Sequence, residues 1–178
     1  MRLLHVNDTY AMTGGIARYL FDVMALLEQN GHENVVVYQQ RHPRTVVDKR
    51  RVYHIPAEAP APDRQVTIRE IVASERPDLV YLHAAYDPIV LEQCLSLLPT
   101  VAYVHGFHVV CPGLAKYFRR GDRVCTRAYG LGCALMIYAR RCCSARHPRT
   151  VRRLMQATAA HQRLYRSARQ LIVASQYM

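Results

Sequence analysis

Apolar positions along this chain fall in blocks. Leu3, Leu4 and Val6 form a short run after Arg2; Val35-Val36-Val37-Tyr38, Leu79–Leu82 and Val101–Val104 form three more. Runs of this length without polar alternation predict strands covered on both faces, as in a parallel sheet. Between the first two, Ile16, Leu20, Val23, Met24 and Leu27 recur at helical spacing, which predicts a helix over residues 15–30 closed by Gly31. The same reading places strands at 2–7, 33–39, 51–55, 79–83 and 100–105. It places a short helix at 65–75 stopped by Pro77, a helix at 88–98 with Pro88 in its first turn, a long helix at 148–168 and a last strand at 171–174. Strands alternating with helices predict an α/β fold, doubly wound and Rossmann-like, with a mainly parallel sheet. Residues 106–147 break the alternation and read as an irregular insertion in a single domain spanning 1–178.

In such a fold the loops after the strands gather along one edge, where ligands bind. Here they are residues 7–15, 83–87, 105–112 and the segment from Ser175 onward. The first holds Thr13-Gly14-Gly15-Ile16-Ala17-Arg18, a glycine pair at a strand-to-helix turn. Glycine lets the backbone approach a ligand closely, and the N–H groups opening the helix form an anion site. The motif is neither the G-x-G-x-x-G fingerprint nor a phosphate-loop lysine motif, and a plain tight turn satisfies it equally well.

The 178 residues are enough for a full core, and half of them are hydrophobic. No apolar stretch approaches membrane-spanning length and no signal peptide opens the chain, so the expected compartment is the cytoplasm. The six cysteines then read first as thiols or metal ligands. Charge divides the chain more sharply than its total of +11 suggests. Residues 1–115 carry ten Lys/Arg against twelve Asp/Glu, a net of −2; residues 116–178 carry fourteen against Asp122 alone, a net of +13. Nearly all the cations are arginine, whose fork suits phosphate and anionic head groups.

The ordered set of motifs resembles the amino-terminal half of family-four retaining glycosyltransferases. Thr13–Arg18 resembles their Gly-Gly turn and arginine-bearing helix, and Asn30-Gly31-His32-Glu33-Asn34-Val35 their Gly-His-Glu-x-x-Val lead into the second strand. Pro77-Asp78-Leu79-Val80-Tyr81-Leu82-His83 is similar to their Pro-Asp strand ending in histidine, and Thr100–Gly106 to their strand ending in His-Asp or His-Gly. Ala168–Ser175 resembles their last strand, with Arg169 where aspartate is usual. The resemblance runs in order over the whole chain.

It implies a GT-B architecture of two Rossmann-like domains, of which this chain is the acceptor-side one. The carboxy-terminal donor domain, with its Glu-x7-Glu motif, is absent from the sequence. The chain alone is therefore expected to be inactive and to look cut at a domain boundary. Implied residue roles are donor contact for Gly14, Gly15 and Arg18, a catalytic sugar contact for His105, and acceptor contacts for His83, Asp87 and His108. The implied partners are a nucleotide-sugar and a sugar or lipid-linked acceptor, with retention of configuration. No cofactor is required for that chemistry. A subset of the family also resembles the segment from Cys111-Pro112-Gly113 through Cys125 and Cys133 to Cys142-Cys143. By that likeness Cys111, Cys125, Cys133 and one of Cys142 or Cys143 share a site, with zinc as the first candidate and paired disulfides or plain thiols as alternatives. Cys94 lies on an apolar helix and reads as core.

Two readings compete. An arginine-rich final third with pI 9.7 suits a nucleic-acid or anionic-surface module, including peripheral attachment to the inner membrane. The tyrosines are not clustered among the arginines as stacking platforms, and no recognition motif appears. A two-carboxylate hydrolase is disfavoured because nothing pairs Asp8 with Asp87 in sequence.

Overall fold

The computed structural model describes residues 1–174. The chain divides into two compact units, one formed by residues 1–103 and 167–172, the other by 104–166 with the segment from Val173 onward. The expected loop from Ser175 onward lies outside the described residues.

The first unit is built on a six-stranded sheet. Its strands are β1 (Arg2–Thr9), β2 (Glu33–Gln40), β3 (Arg51–His54), β4 (Leu79–Leu82), β5 (Thr100–Val104) and, after the second unit, β8 (Gln170–Val173). Their order is β3-β2-β1-β4-β5-β8, and the first five run parallel. The apolar runs occupy the middle of this sheet: Leu4, Val6, Val36, Val37, Val80, Leu82 and Ala102 are all fully buried or nearly so. Helices α1 (Gly14–Gln29), α2 (Ala61–Glu75) and α3 (Pro88–Leu97) connect the strands. Helix α1 ends as expected, with the Gly31 N–H donated to the Glu28 carbonyl and the His32 N–H to that of Leu27, both at 3.0 Å.

Helix α2 begins at Ala61, four residues before the expected start. Pro60 and Pro62 read as loop signals in sequence. Proline at the start of a helix loses no hydrogen bond, and Asp63 complements the positive end of the dipole. Strands β4 and β5 each stop one residue early, leaving His83 and His105 just past their ends.

The second unit holds the cysteine insertion, which is less irregular than expected. A single 3-10 turn, Phe107–Val109, is followed by a two-stranded hairpin of β6 (Tyr117–Phe118) and β7 (Arg123–Val124), then α4 (Gly132–Ala139). The long helix α5 (Pro148–Arg166) belongs to this unit and packs on α4 and on the 3-10 turn. One of its core clusters is Ile137, Cys143 and Val151, with Leu154 and Met155 packed against them; Val109 and Tyr165 are buried in the same unit.

Candidate functional site

In the sheet unit the strand order reverses between β1 and β4, the switch point where doubly wound folds bind ligands. Asn7, near the carboxyl end of β1, holds this point together. Its side chain accepts from the Ala84 N–H at 2.9 Å and donates to the Thr9 carbonyl at 2.7 Å. Beyond it lies the Gly14-Gly15 turn. Gly14 has φ +77°, a left-handed conformation that explains glycine there. A side chain built on either glycine would meet nothing within 4 Å, so the space above the turn is open. Thr13 makes no side-chain cap to α1, whose first turn carries no acidic residue. Arg18 lies one turn further on, exposed, with its Nε 3.0 Å from the Asp22 carboxylate.

His83 has no exposed surface. It belongs to a buried polar chain whose proton positions the neighbouring amide fixes. Asn34 donates from Nδ2 to the Met24 carbonyl and to Glu28, so its Oδ1 faces His5 Nε2 at 2.8 Å. His5 Nε2 therefore donates, His5 Nδ1 accepts, and His83 Nε2 donates to it at 3.0 Å. Burial pushes the His5 pKa down to about 4, so this imidazole is neutral. Tyr81 lies tilted against His83, with ring centroids 4.4 Å apart, and its hydroxyl lies 2.7 Å from that of Tyr19.

Asp87 caps α3. It accepts from the Ile89 N–H and from Gln39 Nε2, both at 2.9 Å, and forms an ion pair with Arg64. Both charged side chains of that pair are largely buried. At the carboxyl ends of β2 and β3 an open cavity of about 840 Å³ is bordered by Gln39, Arg41, His54 and Glu58, among others.

In the second unit His105 is half-buried, and burial lowers its pKa to about 4, leaving it neutral at physiological pH. His108 is buried, its Nε2 3.4 Å from the Tyr165 hydroxyl and its ring edge-on to His161 at 5.7 Å. Burial, with the nearby His161 and His105, holds its pKa near 4.

Cys111, Cys125, Cys133 and Cys142 border one cavity of about 20 Å³, together with Lys116 and Arg127. Cys143 turns into the core instead and accepts from the Ala145 N–H at 3.4 Å. Gly113 is obligatory here, because a Cβ at that position would lie 2.4 Å from the Cys142 carbonyl oxygen. All six cysteines are free thiols. Among the described residues, no three or more His, Cys, Asp or Glu side chains are grouped as metal ligands, so the expected zinc gains no support. Cys94 is fully buried, and burial drives its pKa up to about 12, as fits an inert core thiol.

The sequence reading missed His5, Asn7 and Asn34 in the sheet unit and His161 and Tyr165 in the other. It placed the arginine excess in the last third but did not foresee a cavity there. Arg119, Arg120, Arg141 and Arg146 border a single open cavity of about 620 Å³.

No curated protein matches this sequence. Among solved structures, the crystal structure of an isochorismatase family protein aligns at 5% identity and a TM-score of 0.41, covering 58% of this chain and 78% of that one. A likeness that slight carries no argument. The model of Glycosyltransferase Family 4 matches residues 13–178, from the residue before the glycine turn to the last. The chain belongs to glycosyltransferase family 4.

Proposed function

We propose that this chain is the acceptor-side domain of an enzyme that moves a sugar from a nucleotide-sugar to a glycan or lipid-linked acceptor with retention of configuration. The observation that carries the reading is the family match over residues 13–178. A parallel sheet with an open glycine turn at its switch point supports it. The uncapped first turn of α1 and Arg18 supply positive potential for the donor's phosphates. His105, neutral at working pH, hydrogen-bonds a hydroxyl of the transferred sugar and does not act as a cation. Retaining transfer of this kind leaves the departing phosphate to take the acceptor's proton, so donors that stabilise phosphate matter more than a side-chain base. On the acceptor side, His83 and Asp87 act by holding the loops after β4 in place, each through buried partners. His108 contributes through the shape of the 105–112 segment.

The test is sugar transfer by the full-length enzyme carrying His105→Ala. The expected result is a loss of about tenfold or more in both kcat and kcat/KM, with the melting temperature little changed. Unchanged kinetics with a large loss of stability would refute the assignment. The chain spanning residues 1–178 alone is expected to show no turnover.

The finer reading of the cysteine loop is a structural zinc held by Cys111, Cys125, Cys133 and Cys142. It rests on the family-like order of the four cysteines, all of which border one cavity, and it requires them to draw together, since no metal-ligand grouping is found among the described residues. Metal analysis of protein prepared under reducing conditions tests it, with about one zinc per chain expected.

A further inference from the structure

We propose that Arg119, Arg120, Arg141 and Arg146 form a binding site for the phosphate or diphosphate group of a phosphate ester. The four residues border one cavity of about 620 Å³ and come from two separate segments, the turn between β6 and β7 and the stretch after α4. The Arg120 N–H donates to the Arg140 carbonyl at 3.0 Å and ties these segments together. Arg146 donates from Nη1 to the carbonyls of Ile137, Cys143 and Ala145, which holds its guanidinium at the cavity wall. Arg141 adopts a left-handed backbone, φ 52°. The chain turns there so that Arg141 borders this cavity while Cys142 borders the thiol cavity.

None of the four enters an ion pair among the described residues; every ion pair found lies in the sheet unit. Asp122 is the only carboxylate between residues 104 and 178, and it accepts a hydrogen bond from the Tyr117 hydroxyl. Four like charges around one cavity repel one another, which costs stability until a polyvalent anion enters. Guanidinium forks present paired N–H donors at the spacing of phosphate oxygens, and a diphosphate has enough oxygens to meet several forks at once. A single carboxylate would leave most of them unmet. The volume exceeds that of bare phosphate and lies in the range of ordinary ligand pockets, so the esterified group is accommodated too. The site goes beyond the transferase reading and uses neither His105 nor the Gly14-Gly15 turn.

The test reads binding without turnover, so its outcome is separate from that of the transferase assay. The full chain is titrated calorimetrically with inorganic pyrophosphate at an ionic strength of about 0.15 M. Saturable binding is expected, weakened at least tenfold by Arg141→Gln and by Arg119→Gln. The control Arg152→Gln/Arg153→Gln removes two exposed charges from α5 and is expected to change affinity less than threefold. If Arg141→Gln fails to fold, Arg119→Gln alone gives the reading. Vesicles of phosphatidic acid in phosphatidylcholine then separate the sources. Capture that pyrophosphate competes away assigns a lipid phosphate, and pyrophosphate binding without capture assigns a soluble phosphate ester; both uphold the site. The proposal is overturned if pyrophosphate does not bind saturably, or if the α5 control weakens it as much as the cavity variants do.

Discussion

The two units treat charge in opposite ways. In the sheet unit arginines meet carboxylates: Arg2 with Glu33, Arg50 with Glu28 and Asp48, Arg51 with Glu75, Arg64 with Asp87. Buried histidines and tyrosines there pair with one another. The cysteine unit has no ion pair among its described residues and shapes itself by backbone turns, with left-handed conformations at Leu114, Lys116, Asp122 and Arg141. The sheet unit neutralises its arginines with its own carboxylates, whereas the cysteine unit, among its described residues, pairs no cation with a carboxylate and turns Lys116 and Arg146 onto backbone carbonyls instead. Substitutions in the first should therefore be read mainly in stability, and cation substitutions in the second mainly in binding.

The largest expected effect comes from Asp87→Ala. It strands the largely buried Arg64 guanidinium and removes the acceptor for Gln39 and for the Ile89 N–H. Breaking a buried pair from one side costs about 3 to 5 kcal/mol. Denaturant unfolding measures it. A variant of wild-type stability with a raised KM for the acceptor would instead show that Asp87 serves the ligand, and the comparison would fail at that point.

The cysteine unit has one position where stability should dominate. Gly113→Ala drives a Cβ against the Cys142 carbonyl, a backbone atom that cannot swing aside. Overpacking of this kind costs about 1 to 3 kcal/mol. The cavity bordered by Cys111, Cys125, Cys133 and Cys142 should open with it, so the rate of thiol modification by a disulfide reagent should rise. Unaltered thiol rates and melting temperature would mean that the contact between residues 113 and 142 does not order this loop.

What is legible in the sequence follows the range of the forces involved. Strands and helices were legible because burial of Val35–Val37 or of the α1 stripe is written in adjacent residues. The two prolines at the head of α2 misled because proline signals both loops and helix starts, and only the chain geometry separates the two. The glycine turn and His105 were visible as groups next to strand ends. His5 was not, because its partners Asn34 and His83 lie 29 and 78 residues away in sequence. His108 likewise meets Tyr165 across 57 residues. The cysteine order was legible, but the choice of Cys142 over Cys143 depended on which side of a turn each faces. The arginine excess was plain in composition, while its convergence on one cavity required the fold.

A pH titration sharpens the comparison from the sheet side. Burial disfavours charged His5, so its folded pKa, about 4, lies below the value of about 6.5 for an exposed imidazole. The unfolded chain then binds the proton more readily, and stability falls as pH drops from about 6.5 towards 4. At pH 5 the His5 share of that loss is about 2 kcal/mol. Nuclear magnetic resonance of the His5 ring checks the cause directly. An apparent pKa near 6.5 would show that the Asn34–His5–His83 chain is open to water, and the picture of a closed sheet unit would not survive.

The smallest expected effect on stability is at Arg18, the one ion-paired arginine of the sheet unit whose pair is mostly exposed on both sides. A surface pair at i,i+4 contributes roughly 0.3 to 0.5 kcal/mol, so Arg18→Ala should barely move the melting temperature. Its position one turn from the Gly14-Gly15 opening gives it a different expected signature, a weaker interaction with the donor's phosphates in the full-length enzyme. Asp22→Ala supplies the opposing measurement, since it removes the carboxylate that holds the guanidinium without removing the cation. If Arg18 serves the donor, Arg18→Ala lowers kcat/KM for the nucleotide-sugar several-fold while Asp22→Ala leaves it unchanged or raises it. If the residue is only a helix-surface arginine, both variants leave kinetics and stability alike at the wild-type level. That result would place Arg18 with the internally paired charges of its unit, and it would remove it from the donor site.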